Sequence, residues 1–291
     1  MIAAIFPGQG SQTPGMGKDV FDASNAAREV FENVSATLGF DIANLCFESD
    51  EETLRATNNA QIALYTVGVA SYAASEFAAD VFAGHSIGEY AALVCSGTLS
   101  LEDGARLVQK RGELMASAGD LTPGTMAAVL GLEIPIITET LAKVDGIVVV
   151  ANDNCPGQTV ISGAVEAMAS AIPLLQEAGA KRVLPLNVSG AFHSPLMTEP
   201  SRQMAQALAN AVFQKGKPVY ANVTAKPIED PSDWRQTLEQ QLRDQVRWTD
   251  SVRNMIADGV TEFIEFGPGE VLCGMLKRID KTVPARRFSV N

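Results

Sequence analysis

The chain has 291 residues, of which 46% are apolar and 19% are charged, so it can bury a large core and is not a disordered protein. Its 22 Lys and Arg residues against 34 Asp and Glu residues give a net charge of −12, which argues against binding nucleic acid or an anionic membrane. The apolar runs are too short to span a bilayer, and Pro7-Gly8 ends the first run too early for a signal peptide. The four cysteines lie too far apart for a metal knuckle or a redox pair, so we expect reduced thiols and a cytoplasmic protein.

The first predicted element is a buried strand at residues 2–6, and a glycine-rich loop follows it from Pro7 to Gly17. This loop lacks the third glycine of a dinucleotide-binding fingerprint, and it lacks the first glycine of a Walker loop because position 12 is Gln12. Its free backbone N–H groups still suit a smaller anion such as an oxyanion. Helices are then predicted at residues 24–38, 40–47 and 60–77, the last of them apolar and buried.

Residues 84–88 fit the Gly-x-Ser-x-Gly pattern of a nucleophilic serine. A short apolar strand at 81–83 leads into this turn, and a helix of small residues follows it as far as Gly97. The glycines remove Cβ atoms where the chain reverses sharply, so Ser86 is expected at the N-terminus of a helix with its hydroxyl exposed. The alternative is a serine that only caps the helix.

A nucleophilic serine needs a base, and the chain has only two histidines. His85 adjoins Ser86, and neighbouring side chains of an extended segment point to opposite sides, so we expect His85 to face away as a core or supporting imidazole. His193 lies in a loop far downstream, in the chain order of a serine–histidine site on an α/β sheet. On the residues alone, His193 is either this base or an ordinary histidine of a surface loop.

One residue of the next predicted helix, at 100–117, breaks the helix pattern. Ser100 and Asp103 mark the helix start, and Arg111 falls inside the apolar arc, on the same stripe as Leu107 and Val108. A buried guanidinium is costly unless an anion meets it. The sequence leaves two partners open, which are a carboxylate of the protein or the carboxylate of a substrate held by two hydrogen bonds.

From Thr122-Pro123-Gly124 onward the pattern changes to the order β, α, β, β, α, β, which is typical of a ferredoxin-like unit. The predicted strands are 126–130, 147–151, 158–162 and 182–186, and the predicted helices are 135–143 and 165–178. Pro173 interrupts the second helix and leaves its length open. Residues 187–197 then return the chain to the main body and bring His193 to the seam between the two parts, a common place for a site.

The last third alternates again, with helices at 201–212, 234–242, 249–258 and 270–279 and strands at 218–223 and 262–266. Such alternation predicts a parallel sheet covered by helices on both faces. The predicted fold class is therefore α/β. An α/β-hydrolase-like catalytic domain with a parallel sheet comprises residues 1–123 and 190–291, and a small ferredoxin-like (βαββαβ) subdomain of residues 124–189 is inserted into it.

Five short motifs occur in order along nearly the whole chain: Phe6-Pro-Gly-Gln-Gly-Ser-Gln12, Gly84-His-Ser-Ile-Gly-Glu-Tyr90, Gln109-Lys-Arg-Gly112, Ala191-Phe-His-Ser194 and Phe266-Gly-Pro-Gly-Glu270. Together they resemble the malonyl-CoA:acyl carrier protein transacylases, the acyltransferase family of fatty acid and polyketide synthesis. The resemblance implies that Ser86 carries the acyl group, that His193 is the general base and acid, and that Arg111 binds the free carboxylate of malonyl.

The same resemblance implies roles for further residues. The backbone N–H groups of Gln9 and Ile87 would form the oxyanion hole, and the main-chain carbonyl of Gln241 would orient the histidine in place of a triad carboxylate. Phe192 would leave no room for a methyl branch, as in malonyl-selecting members. The side chains expected to support the reacting groups from behind are His85 and Asn154.

The implied reaction moves malonyl from malonyl-CoA to the phosphopantetheine thiol of acyl carrier protein by a ping-pong route, with no metal and no cofactor, coenzyme A thioester being a substrate. Basic residues near the end of the sequence either meet the acidic carrier or form a solvated face: Lys277, Arg278, Lys281, Arg286 and Arg287. Two other functions stay open. One is a serine thioesterase or acyl hydrolase that uses the same Ser–His pair, and the other is a non-catalytic subunit that docks carrier proteins through these basic residues.

Overall fold

The computed structural model describes residues 1–290, in which strands and helices alternate. The strands are β1 (Ile2–Phe6), β2 (Val81–Gly84), β3 (Gly124–Leu130), β4 (Val148–Cys155), β5 (Gln158–Ala164), β6 (Arg182–Pro185), β7 (Val219–Tyr220), β8 (Val246–Arg247), β9 (Glu262–Glu265) and β10 (Ala285–Arg287). The helices are α1 (Lys18–Ala23), α2 (Asn25–Leu38), α3 (Ile42–Glu48), α4 (Glu51–Arg55), α5 (Thr57–Ala73), α6 (Gly88–Cys95), α7 (Leu101–Ala116), α8 (Ala118–Leu121), α9 (Ile134–Leu141), α10 (Val165–Glu177), α11 (Thr198–Leu208), α12 (Trp234–Gln241), α13 (Trp248–Ala257) and α14 (Val271–Ile279). This composition confirms the predicted α/β class.

The larger body is built on a sheet with the strand order β10-β9-β1-β2-β7, in which all neighbouring strands are parallel. Alternate residues of β1 and β2 enter different apolar clusters. Phe6 and Phe82 pack with residues of α2 and α5, whereas Ile5 and Val81 pack with residues of α13 and α14. Apolar side chains on both faces are what a parallel sheet between two helix layers requires. The loops at the carboxyl ends of β1, β2, β7 and β9 consequently share one edge.

A second sheet has the order β6-β3-β5-β4-β8. The first four strands are antiparallel to their neighbours, and α9 and α10 pack on them through an apolar cluster that includes Val129, Ile137 and Leu175. These four strands and two helices follow one another as β, α, β, β, α, β. The fifth strand, β8, comes from the later part of the chain and pairs in parallel with β4, so the sheet's hydrogen bonds continue beyond residues 124–189.

Several predicted elements have other limits in the structure. The buried helix predicted at 60–77 is α5, which begins at Thr57 and ends at Ala73, and the strand predicted at 218–223 is reduced to the two residues of β7. Pro173 lies inside α10, which continues to Glu177. Ala171 and Leu175, on either side of Pro173, are buried in the apolar cluster of the second sheet and hold the helix against it. The strands β8 and β10 and the short helices α1, α4 and α8 were not predicted, because segments this short lack a measurable period. No helix within residues 1–290 combines the length and the apolar character needed to cross a membrane.

The turn between β2 and α6 has room for glycine alone at two positions. A Cβ atom at Gly84 would lie 1.9 Å from the carbonyl carbon of Gly88, and a Cβ atom at Gly88 would lie 2.2 Å from the carbonyl oxygen of Phe6. Either contact is far shorter than atoms tolerate, so a side chain at either position must displace backbone. Ser86, between the two glycines, has a φ of 52°, in the left-handed region.

We predict that Gly88→Ala lowers the free energy of unfolding by about 3 kcal/mol or more, because overpacking here meets backbone atoms and not a flexible side chain. Denaturant unfolding followed by circular dichroism measures this change. Gly274→Ala in α14 is the matched control, since no atom lies within 4 Å of the added Cβ and alanine favours a helix by about 1 kcal/mol over glycine. Equal stability of Gly88→Ala and the wild type would contradict the tight fit.

Candidate active site

The structure brings Ser86 and His193 together although they lie 107 positions apart. Ser86 sits in the turn between β2 and α6, and His193 sits in the loop that returns from the second sheet. The Oγ atom of Ser86 is 2.8 Å from Nε2 of His193. Both residues are buried, and both have positive φ, 52° and 56°. Backbone in this region is uncommon for residues other than glycine, so both side chains are held in place by strained, well-supported turns.

The other nitrogen of His193 fixes which way the imidazole presents its lone pair. Nδ1 is 2.7 Å from the backbone carbonyl oxygen of Gln241, at the end of α12. A carbonyl oxygen only accepts, so Nδ1 carries the hydrogen and Nε2 turns its lone pair to the Ser86 hydroxyl. Within residues 1–290 no carboxylate bonds to this imidazole. Burial, and then the nearby Arg111 guanidinium, lower the pKa of His193 to about 3, so the neutral form that accepts a proton prevails at neutral pH.

Arg111 is fully buried on α7 and reaches the same serine. Its Nη2 donates to Ser86 Oγ at 3.0 Å and to Gln241 Oε1 at 2.9 Å, and its Nη1 donates to Gln61 Oε1 at 2.7 Å. The Nε–H has no acceptor among the described residues, and no carboxylate forms an ion pair with this guanidinium in that part of the chain. Of the two partners left open by the sequence, the protein carboxylate is therefore not in direct contact. The site holds a buried cation that donates to the serine oxygen and has one buried N–H without an acceptor.

A buried carboxyl group, Glu89, lies behind these residues in the first turn of α6. Its Oε1 accepts from the backbone N–H of Asn222 at 2.6 Å, and its Oε2 accepts from Nε2 of Gln241 at 2.6 Å. The Oδ1 atom of Asn222 in turn accepts from the N–H of Ser86 at 2.7 Å, and Gln241 Nε2 also donates to the Ser86 carbonyl at 2.8 Å. Burial raises the pKa of Glu89, whereas these hydrogen bonds and Arg111 lower it. Because both of its oxygens accept from N–H groups, the contacts are those of the ionised carboxylate.

Three of these residues were missed in the sequence, namely Gln61, Glu89 and Asn222. Glu89 is the one charged residue of α6, and Gln61 is a polar residue in the buried helix α5, so the argument that singled out Arg111 applies to both. Asn222 follows β7 at the carboxyl edge of the parallel sheet, where ligand-contacting residues are expected. Each of the three positions was therefore unusual in the sequence. A single polar residue in an apolar helix, such as Gln61 or Glu89, can also have a purely structural role in the core, so the pattern alone did not assign it to the site.

The glycine-rich loop after β1 lies directly against the Ser86 turn. A Cβ atom at Gly8 would lie 2.8 Å from the carbonyl oxygen of His85, so this close approach requires glycine. Among residues 1–290, the backbone N–H groups of Gln9 and Ile87 donate to no protein acceptor. Two N–H groups without partners beside a serine are suited to an oxyanion, and these are the two that the sequence comparison with the family suggested.

The remaining predicted residues line or back the site. The His85 ring is turned to Asn154, with Nε2 2.8 Å from Oδ1, and the centroids of the His85 and Trp248 rings lie 5.8 Å apart in an edge-to-face arrangement. Its pKa is lowered by burial. Phe192 is buried in an apolar cluster with Met115 and with residues of β3 and β5. His85 and Asn154 therefore join the Ser86 turn to β4, and Phe192 forms part of an apolar wall.

A cavity of about 270 Å³ opens onto Ser86 and His193 between the two sheets. Its lining comes from the loop after β1, from the second sheet and from α14, and it includes Met115, Met126, Val160, Phe192, Leu272 and Met275. A neighbouring cavity of about 510 Å³ shares Gln9, Gly10, Leu186 and Val188 with it. The inner cavity suits a small acyl group, and the outer one extends from it as a space for a longer attached arm.

The basic residues near the end of the sequence lie on α14, on β10 and between them, and all five are exposed. Three of them bond to the chain's own acceptors. Arg278 donates to Gln158 and to the Pro156 carbonyl, Arg286 pairs with Glu262, and Arg287 donates to the Gly267 carbonyl. Lys277 and Lys281 complete the set. Within residues 1–290, no group of three or more His, Cys, Asp or Glu side chains is arranged to hold a metal ion.

The family model and the similar sequences point to the same protein family. The family model for the acyl transferase domain matches residues 4–285. The malonyl CoA-acyl carrier protein transacylase of Bacillus subtilis (strain 168) is 42% identical over 287 residues, which cover 96% of this chain and 90% of the relative. The protein of the same name from Staphylococcus aureus (strain MW2) is 40% identical over 286 residues, covering 97% of this chain and 93% of the relative.

Solved structures agree with the sequence relatives. An acyl carrier protein S-malonyltransferase from Vibrio cholerae superposes with a TM-score of 0.96 at 38% identity, covering 100% of this chain and 97% of the other. A structure described as a type II PKS acyl-carrier protein in complex with its malonyl-transacylase gives a TM-score of 0.94 at 37% identity, with coverages of 100% and 96%. The chain therefore belongs to the acyl transferase domain family, in the group of the malonyl CoA-acyl carrier protein transacylases.

Proposed function

We propose that this chain moves a malonyl group from malonyl-CoA to the phosphopantetheine thiol of acyl carrier protein, through a malonyl ester on Ser86. The observation that carries the proposal is Arg111, a buried guanidinium that touches the nucleophile's oxygen and has no carboxylate of the protein as its direct partner. A substrate whose free carboxylate lies two bonds from the reacting carbonyl supplies that partner. The names of the full-length relatives support the same substrate pair.

In the first half of the reaction the Ser86 hydroxyl attacks the thioester carbonyl. His193 Nε2, 2.8 Å from Oγ, takes the hydroxyl proton as the C–O bond forms, and the Gln241 carbonyl stabilises the imidazolium through Nδ1–H. The oxyanion of the tetrahedral intermediate accepts hydrogen bonds from the N–H groups of Gln9 and Ile87. When the intermediate collapses, the C–S bond breaks and His193 returns the proton to the departing CoA thiolate.

In the second half the same groups act in the reverse sense. The phosphopantetheine thiol of the carrier gives its proton to His193 and attacks the ester carbonyl of malonyl-Ser86. The C–O bond breaks and Ser86 recovers the proton, so atoms and charge balance over the cycle without a metal or an organic cofactor. The buried, largely apolar wall that includes Phe192 limits the size of the acyl group and keeps water from the ester.

The carrier protein is proposed to approach over α14. Val271, Leu272 and Met275 of this helix line the inner cavity, and Lys277 and Arg278 follow on its exposed side. Carrier proteins are acidic, so basic groups beside the cavity mouth favour their approach. The unpaired thiols of Cys46, Cys95, Cys155 and Cys273 suit a reducing compartment, and we place the reaction in the cytoplasm.

Replacing Ser86 or His193 is expected to reduce transfer by ~10³-fold or more, since serine enzymes lose most of their rate with either partner. Intact-mass spectrometry after mixing with malonyl-CoA should show a malonyl adduct on the wild type and none on Ser86→Ala. Ser170→Ala, an exposed serine on α10, is the control and should keep both adduct and rate. A non-catalytic docking subunit would bind carrier protein without forming any adduct.

Labelled malonyl-CoA distinguishes a transferase from a hydrolase that uses the same residues. For a transferase, we expect the label to appear on carrier protein when carrier is added, and malonate release to be slow without it. Initial rates over a matrix of both substrate concentrations should give the parallel lines of ping-pong kinetics. Release of malonate at the same rate with and without carrier would contradict the transferase proposal.

Arg111→Ala is expected to lower the preference for malonyl-CoA over acetyl-CoA by at least about tenfold, because the substrate carboxylate then lies in a buried site without a partner. The measurement is kcat/KM for each thioester. Arg106→Ala, an exposed arginine of the same helix that pairs with Asp103, should leave the preference unchanged. An unchanged preference in Arg111→Ala would remove this residue from substrate binding.

The low pKa of His193 predicts the acid side of the pH profile. A base works in its neutral form, so a histidine with its ordinary pKa of 6.5 would lose half its activity at that pH, whereas a pKa of about 3 keeps it neutral far below. The rate of Ser86 acylation in the free enzyme should therefore be flat from about pH 7 down to about pH 5. Rapid-mixing mass spectrometry measures this rate, and thermal melting at each pH controls for unfolding. An inflection near 6.5 would contradict the expectation.

A further inference from the structure

We propose that Glu89 is a positioning residue for malonyl selection, which holds Arg111 ready for the substrate carboxylate by fixing the side-chain amide of Gln241 between the two charges. The inference rests on the proposed function, since it assigns Glu89 to the selectivity of that same site. Glu89 touches neither the reacting oxygen nor the inner cavity, so its action passes through its neighbours.

The amide of Gln241 has no spare hydrogen-bonding capacity for another orientation. Its Oε1 accepts from Arg111 Nη2 at 2.9 Å, and its Nε2 donates to the Ser86 carbonyl at 2.8 Å and to Glu89 Oε2 at 2.6 Å. Turning the amide over would set its NH₂ group against the guanidinium and its oxygen against two acceptors. The Glu89 carboxylate and the Ser86 carbonyl therefore orient the Gln241 amide so that its Oε1 atom faces Arg111.

The other carboxylate oxygen of Glu89 holds the opposite side of the serine turn. Oε1 accepts from the backbone N–H of Asn222 at 2.6 Å, and the Asn222 side chain accepts from the Ser86 N–H and donates to the Gly84 carbonyl at 2.6 Å. One carboxylate thus links the end of α12 and the loop after β7 to the first turn of α6. A carboxylate in the first turn of a helix also interacts favourably with the helix dipole.

The two hydrogen bonds that Glu89 accepts, from Asn222 N–H and from Gln241 Nε2, require a side chain with two acceptor atoms. Glutamine has the same shape as glutamate but offers one acceptor and one donor, so in either orientation its NH₂ group would face an N–H of Asn222 or of Gln241. Both of these N–H groups are buried, and a buried donor left without an acceptor destabilises the arrangement around it. The contacts therefore specify glutamate at this position and not merely a polar side chain of its size.

Glu89 and Arg111 are separated by the Gln241 amide, and this separation keeps a protein carboxylate away from the guanidinium. Both side chains are 0% exposed, yet they are joined through the Gln241 amide and form no direct ion pair. The carboxylate compensates the buried cation at the distance of one amide group, and Nη2 of Arg111 meets the neutral Gln241 oxygen and not a carboxylate. A direct pair would fill the guanidinium edge and compete with the carboxylate of the substrate.

Glu89→Gln tests the role through the ratio of kcat/KM for malonyl-CoA to that for acetyl-CoA. We expect this ratio to fall by about tenfold or more, since a misplaced guanidinium affects the acid substrate selectively. In an Arg111→Ala background, Glu89→Gln should leave the ratio unchanged, because both changes then act on one interaction. Glu113→Gln, an exposed glutamate of α7, is the control that should match the wild type.

A second variant keeps the test decisive if Glu89→Gln does not fold, which thermal melting will show. Glu89→Asp keeps the charge and both acceptor oxygens but is one methylene shorter, so it does not reach both the Gln241 amide and the Asn222 N–H at their present distances. The malonyl preference should again fall, by about threefold or more, because the Gln241 amide and the Arg111 guanidinium lose their fixed positions.

Two results would overturn the role of Glu89. One is a wild-type ratio in either variant, including the case in which both thioesters react more slowly by the same factor. The other is a further fall of the ratio when Glu89→Gln is added to Arg111→Ala. The proposed function fails in a different way. A wild-type chain that forms no malonyl adduct on Ser86 contradicts the function itself, whereas a normal adduct with an unchanged ratio contradicts only the role of Glu89.

Discussion

The absence of side chains at Gly84 and Gly88 is the constraint on which the site depends. It lets β2 turn into α6 within hydrogen-bonding distance of β1, and it holds Ser86 at a φ of 52°. The serine backbone is then gripped from both sides, its N–H by Asn222 and its carbonyl by Gln241. A strained residue persists only where its surroundings over-determine it, and here Asn222 and Gln241, which both also bond to Glu89, supply that support.

Gln241 occupies the position beside the histidine that a third, acidic residue occupies in many serine enzymes. Its backbone carbonyl orients the His193 imidazole, and its side-chain amide separates the buried charges of Arg111 and Glu89. A carbonyl oxygen is a weaker partner for an imidazolium than a carboxylate is, so it leaves the base neutral down to a lower pH but stabilises the imidazolium less after proton transfer. Neither Arg111 nor Glu89 therefore bonds to the histidine ring.

Much of this architecture was predictable because it leaves a local trace in the sequence. Alternation of strands and helices predicted the α/β class, the glycines around Ser86 predicted the turn, and the helix pattern singled out Arg111 as a buried cation. The edge strands β8 and β10 were not predictable, since segments of two or three residues form only where a neighbouring strand is already in place. Glu89 was missed for another reason, because its meaning depends on two partners that lie more than a hundred residues away in the chain.

The pairing of β8 with β4 bears on how the cavity beside Ser86 can change its shape. It ties the smaller sheet to the main body by backbone hydrogen bonds, and Arg278 adds a side-chain link to Pro156 and Gln158. Hinge opening of the acyl cavity would have to break these bonds. The wall of this cavity includes Met115, Met126 and Met275, whose side chains are unbranched and adaptable. The shape of the cavity therefore changes more readily through these thioether side chains than through a movement of the smaller sheet.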